Sequence, residues 1–152
     1  EVKAQLVEEF KSLNPDRLEG FSDGYIGKVL DMMKERAHFV NEFWGLTWFF
    51  FERPSSYDQA SVNKFWKDEI KAIIPQVYEF IMNINPFNKE EIEEKLHNLI
   101  ISNEWSMGKV MNTLRLFIVG EGKGPGVADM MAIMGRDEID ARIKKAIETL
   151  GN

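Results

Sequence analysis

The sequence contains no cysteine. That excludes disulfides, thiolate metal sites and a cysteine nucleophile, and it fits a reducing compartment such as the cytoplasm. Histidine is almost as scarce: only His38 and His97 occur, far apart and without H-E-x-x-H spacing. No apolar run reaches the roughly 18 residues of a membrane span. The densest patch, FWGLTWFFF at 43–51, is followed at once by Glu52, Arg53 and Pro54. Positive charge is in deficit, with 19 basic against 25 acidic residues and a net charge of −6. Bulk charge therefore argues against non-specific nucleic-acid binding while leaving local recognition open. The chain begins neither with Met nor with a basic-then-apolar leader but inside a helix-like stretch, EVKAQLVEEFKSL, as a piece of a longer protein would. No serine sits in a nucleophile-elbow context. The acid run EEIEE at 90–94 reads as a solvated helix start with dipole-favourable carboxylates. No catalytic and no metal-binding residue is expected.

What is present is ordinary for a globular domain: 44% hydrophobic and 29% charged residues, with 11 Phe and 4 Trp for a core. Helical spacing dominates. Val2, Leu6, Val7 and Phe10 form one stripe, and NPDRLEGFSDG at 14–24 interrupts it. A long helix is expected from Tyr25 to Phe51, with Ile26, Val29, Leu30, Met33, Ala37 and Val40 on its apolar face. Within it Trp44, Trp48 and Phe51 fall at i, i+4 and i+7, which reads first as a core stripe and second as a base-stacking platform. A second helix is expected from Asp58 to Met82, kinked or interrupted at Pro75. NINPFN at 83–88 marks a boundary, and Asn88 with Glu91 resembles a capping box. Ser106 caps a helix running to about Val119, a short helix ends at Gly135, and a last one carries Ile139, Ile143, Ala146, Ile147 and Leu150. No stretch alternates as a strand would. The expectation is an all-α helical bundle of six to seven helices in two packed subdomains, 1–85 and 86–152.

One stretch resists a purely structural account: MGKVMNTLRLFIVGEGKGPG at 107–126. Gly120, Gly122, Gly124 and Gly126 surround Lys123 and Pro125. A P-loop needs Ser or Thr after the lysine and a preceding strand, and Pro125 spoils a G-x-G-x-x-G fingerprint. A helix stop followed by a helix start explains part of it, with Gly120 and Gly122 at positive φ and Pro125 near the next N-terminus. So many glycines also leave bare backbone N–H groups open to close approach. On the preceding helix Gly108, Asn112 and Arg115 share one face. From Trp105 to Gly126, Lys109, Arg115 and Lys123 stand against Glu121 alone, a small positive island on an acidic protein. A five-donor guanidinium fork beside exposed backbone suits a nucleobase edge or a phosphate.

The run MGKVMNTLRLFIVGEGKGPGVADMMAIMGRDEIDARIKKAI resembles the C-terminal anticodon-binding region of bacterial glutamyl-tRNA synthetase. That family's pattern is approximately G-K-V-x-x-P-L-R, a short apolar run, T-G, a small-residue loop ending in proline, and L-G before R-[IL]-x-x-A-[IL]. Gly108, Lys109, Val110, Leu114, Arg115, Gly120, Pro125, Gly135, Arg142, Ile143, Ala146 and Ile147 match it. Thr113 departs where proline is usual, and Val119 departs where threonine is. Upstream, KVLDMMKERAHFVNEFWGLTWFFFERP is similar to the first helical part of the same region.

The resemblance implies an all-helical module that receives the anticodon arm of glutamate tRNA, acting as a monomer without DNA or membrane partners. It implies that anticodon bases are read by Arg115 and by Gly124, Pro125 and Val127 around the loop, with Gly124 standing where a hydroxyl residue is common. Arg36 is the candidate for a further reading arginine, and Asn112 joins the set from its place beside Arg115. The family's ATP- and magnesium-dependent adenylation belongs to an N-terminal domain whose H-[IV]-G-H and K-M-S-K-[ST] signatures are absent here. This chain is therefore expected to hold no cofactor and not to aminoacylate alone. The competing reading is a helical protein-interaction or scaffold module without an RNA role, which the acidic charge also fits.

Overall fold

The computed structural model describes residues 4–151. All regular secondary structure among them is helical, as the periodicity leads one to expect. They divide between Glu52 and Arg53 into two compact units. Val2 of the first apolar stripe lies outside the described residues.

The first unit holds α1 (Ala4–Leu13), α2 (Asp23–Met33) and α3 (Phe43–Thr47), with single 3-10 turns at Lys34–Arg36, Val40–Glu42 and Trp48–Phe50. The long helix expected from Tyr25 to Phe51 is thus broken. The Tyr25 hydroxyl donates to the Phe50 carbonyl at 2.6 Å, whereas a straight helix would hold these residues about 37 Å apart. Bending the chain back packs the aromatic block around Phe10, whose ring lies 6.1 Å from both Phe43 and Phe51. Burial of two apolar faces outweighs helical continuity. Trp44 stacks on Phe51 and carries Arg17 over its ring at 4.6 Å, so the aromatic stripe serves the core.

The second unit holds α4 (Gln59–Phe65), α5 (Asp68–Met82), α6 (Lys89–Ser102), α7 (Met107–Val119), α8 (Val127–Met134) and α9 (Arg136–Leu150). The expected 58–82 helix breaks at Trp66 rather than at Pro75, which lies inside a continuous α5. Trp66 leaves helical geometry, with ψ at 74°. Its buried indole then packs edge-on against Phe117 and donates Nε1–H to the Gly151 carbonyl at 2.9 Å. A buried indole that also finds its hydrogen bond outweighs one lost turn of helix.

The α6 and α7 starts follow the sequence: Asn88 accepts from Glu91 N–H at 2.9 Å and Ser106 from Lys109 N–H at 3.3 Å. α7 is the central element, with Val110, Leu114, Phe117 and Ile118 each at most 1% exposed. It ends at Gly120, where φ is +91°. A Cβ at Gly120 would lie 2.9 Å from both Pro54 Cβ and the Ser56 carbonyl, so only glycine fits. The other positive-φ glycine of the loop is Gly124, at +147°, and not Gly122. A Cβ at Gly122 would meet the Ser61 hydroxyl at 3.4 Å, an ordinary contact, so neither φ nor space demands glycine there.

Candidate functional site

The α7 C-terminus and the loop after it are clamped from below. Arg142 on α9 is 2% exposed, and its Nη1 donates to the Ile118 carbonyl at 2.7 Å. That satisfies one of the carbonyls a helix end leaves without a partner. The Arg142 charge is balanced by Glu138 one turn earlier, at 2.8 Å. The same carboxylate receives Arg53 through two hydrogen bonds of 3.0 Å. Burial pushes the Glu138 carboxyl up. The hydrogen bonds and charges of Arg53 and Arg142 outweigh that and hold it below its ordinary value. Segment 53–58 is tied in as well, through Lys145 to the Pro54 carbonyl at 2.7 Å and Asp58 N–H to the Gly120 carbonyl at 2.8 Å.

On this base stands Arg115, half-buried on the outer face of α7. Its Nη1 donates to Asn112 Oδ1 at 3.2 Å and its Nη2 to the Pro125 carbonyl at 3.4 Å. Both bonds are long. Its Nε–H is buried without a hydrogen-bond partner among the described residues. Desolvation pushes its pKa down, and no carboxylate among the described residues offsets that. The guanidinium stays protonated, because arginine does so throughout the accessible pH range. The result is a charged, oriented fork that keeps Nη hydrogens beyond those given to Asn112 and Pro125, and an incoming acceptor can take these.

The other expected site residues fall into place unequally. Asn112 and Pro125 adjoin Arg115 directly, but Pro125 is buried and offers its carbonyl rather than its ring. Gly124 is exposed on the rim, together with Glu121, Gly122 and Lys123. Val127 is 2% exposed, so it seats the start of α8 and presents almost nothing to the surface. Arg36 belongs to the first unit, exposed at the end of the Lys34–Arg36 turn. Of the positive island, Lys109 is paired with Glu69 at 3.3 Å, which leaves Arg115 and Lys123 as its cations without an acidic partner among the described residues.

The periodicity did not point to the far wall of this region. Beside Asn112 and the loop, α4 completes an open groove of about 570 Å³ that includes Lys64 and Phe65. The clamp under the loop was half legible, since Glu138 and Arg142 stand at i, i+4, but Arg53 had no sequence signal. Among the described residues, no three His, Asp or Glu side chains gather as a metal site, and no helix is long and apolar enough to cross a membrane.

Comparison with known proteins covers nearly the whole chain. Residues 3–147 match the anticodon binding domain family. The chain is 40% identical over 149 residues to the glutamate–tRNA ligase of Flavobacterium johnsoniae, covering 97% of the chain and 29% of the relative. It is 36% identical over 148 residues to that of Porphyromonas gingivalis, with the same coverage. Among solved structures it resembles a glutamate tRNA ligase from Elizabethkingia meningosepticum, crystallised in complex with its amino acid. The TM-score is 0.88 at 39% identity, covering 97% of this chain and 29% of that one. The chain thus spans about 29% of the length of the curated relatives it matches.

Proposed function

The chain belongs to the anticodon binding domain family, and from that premise we propose that it is the anticodon-reading module of a glutamate–tRNA ligase. In this reading it receives the anticodon arm of glutamate tRNA. ATP- and magnesium-dependent activation of glutamate is the work of another domain of the parent enzyme. The same proposal takes the chain as a monomer acting in the cytoplasm.

The observation that carries it is Arg115. A half-buried guanidinium with no carboxylate beside it among the described residues costs stability unless a ligand supplies acceptors to the Nη hydrogens that Asn112 and Pro125 leave over. Asn112 and the Pro125 carbonyl fix its plane. The fork then meets adjacent acceptors on a base edge, such as cytosine O2 and N3 or guanine O6 and N7. Bases in a single-stranded loop can be splayed out to reach it. Gly124 and the exposed backbone around it admit the sugar-phosphate chain closely, while Pro125 and Val127 hold the loop's shape. Arg36 is a separate contact in the first unit.

The test is binding of an RNA hairpin carrying the glutamate anticodon arm. Arg115→Ala is expected to weaken it by about 1–3 kcal/mol, the size of one bidentate arginine–base contact. Unchanged affinity would overturn the role of Arg115 and favour a protein-interaction surface.

A further inference from the structure

We propose that the groove between α4, Asn112 and the glycine loop is a second nucleotide subsite. It holds the nucleotide next to the base engaged by Arg115, with its base against Phe65 and its phosphate between Lys64 and Lys123. This rests on the anticodon-reading proposal and adds a ligand position to it.

Three features of the groove point to that occupant. Its volume, about 570 Å³, lies in the range of small-molecule sites, and it is open enough for a chain to enter and leave. Its walls combine what single-stranded RNA requires: an aromatic face, cations and short polar groups. Phe65 is half-buried in the wall, and Lys64 Nζ lies 5.4 Å from its ring centroid. That ammonium lies over the ring, so a base laid on Phe65 displaces it to the edge of the stack, where it meets the phosphate. Lys64 and Lys123 are both exposed, and no ion pair among the described residues engages either.

The third feature is continuity. Asn112 lines this groove, and its Oδ1 already accepts from Arg115. Its amide N–H groups remain to face the neighbouring nucleotide, so one side chain spans both positions.

The acids of the groove are accounted for. Asp58 caps α4, accepting from Ser61 N–H at 3.0 Å and Ser61 Oγ–H at 2.7 Å. Glu121 stands exposed on the rim and opposes a phosphate there, which confines the phosphate to the Lys64 and Lys123 side.

The experiment measures the anticodon-arm hairpin on the complete 152-residue chain and on Phe65→Leu, Lys64→Ala and Arg115→Ala. Leucine keeps the apolar volume but removes the stacking face. Phe65→Leu is expected to weaken binding roughly five-fold or more. Lys64→Ala is expected to shallow the salt dependence by about 0.7 in the log–log slope, one single-strand phosphate contact. With 2-aminopurine placed in the hairpin loop, fluorescence quenching on binding should be lost in Phe65→Leu. Should Phe65→Leu unfold, the exposed Lys64 carries the test alone through its slope. If Arg115→Ala loses affinity while Phe65→Leu and Lys64→Ala bind as the parent does, the subsite is wrong and the Arg115 reading stands. If the unaltered chain does not bind the hairpin, both are wrong.

Discussion

At the scale of single residues, two arginines with opposite surroundings divide the work. Arg142 is buried and fully paired, with Glu138 balancing its charge and the Ile118 carbonyl taking a further donor. Arg115 is half-buried and unpaired by any acid among the described residues. The first is structural, and the second is the one that the proposed function assigns to base reading. Removing the acid beside Arg142 should therefore cost stability. Glu138→Gln is expected to lower unfolding free energy by about 3 kcal/mol, measured by urea denaturation, because it leaves a buried guanidinium uncompensated. The pH dependence has a fixed sign. The Glu138 carboxyl is held below its ordinary value near 4.5, so the unfolded chain takes up its proton first as pH falls. That contribution is complete above the ordinary value and is lost as pH drops through the lowered one. Glu138→Gln should abolish this part of the acid sensitivity and leave stability flatter below pH 4.5. At Arg115, Lys is not a conservative replacement, since an ammonium has no planar fork. Arg115→Lys should fail to restore hairpin binding lost in Arg115→Ala.

At the scale of elements, the contrast between the glycine that caps α7 and the one inside it is informative. Gly120 combines φ of +91° with a Cβ direction blocked at 2.9 Å by Pro54 and the Ser56 carbonyl. Gly120→Ala should cost more than about 2 kcal/mol through strain and overlap. At Gly108, inside the same helix, nothing lies within 4 Å of a Cβ, so Gly108→Ala should stabilise by about 0.5 kcal/mol. Thermal unfolding of the two variants decides both. The helix ends that local chemistry dictates, at Asn88, Ser106, Gly120 and Gly135, were legible in the sequence because caps and positive-φ glycines are local signals. The breaks at Met33 and Trp66 were not. They come from Tyr25 reaching Phe50 and from Trp66 reaching Gly151, contacts between residues distant in the chain. For the same reason Arg115 and Asn112 could be paired from helical spacing, whereas Lys64 and Phe65 could not be placed opposite them.

At the scale of the whole molecule, net charge and the proposed function pull in opposite directions. A chain of charge −6 repels RNA at long range, so affinity has to come from a few short-range contacts. Salt should then weaken hairpin binding only moderately, with a log–log slope no steeper than about −3, the signature of few phosphates neutralised. A much steeper slope would mean a broad electrostatic footprint that the charge distribution does not provide. The division between Glu52 and Arg53 places Arg36 and Arg115 in separate compact units. Arg36→Ala is thus expected to leave the thermal stability of the second unit's α7–α9 clamp unaltered.

The most direct measurement compares hairpins of the same stem with the glutamate anticodon and with an exchanged anticodon, each titrated with the unaltered chain and with Arg115→Ala. The unaltered chain should prefer the glutamate anticodon, and the preference should shrink by roughly five-fold or more when the guanidinium is removed. Equal binding of both hairpins by the unaltered chain, or a preference that survives Arg115→Ala intact, would contradict base reading by Arg115.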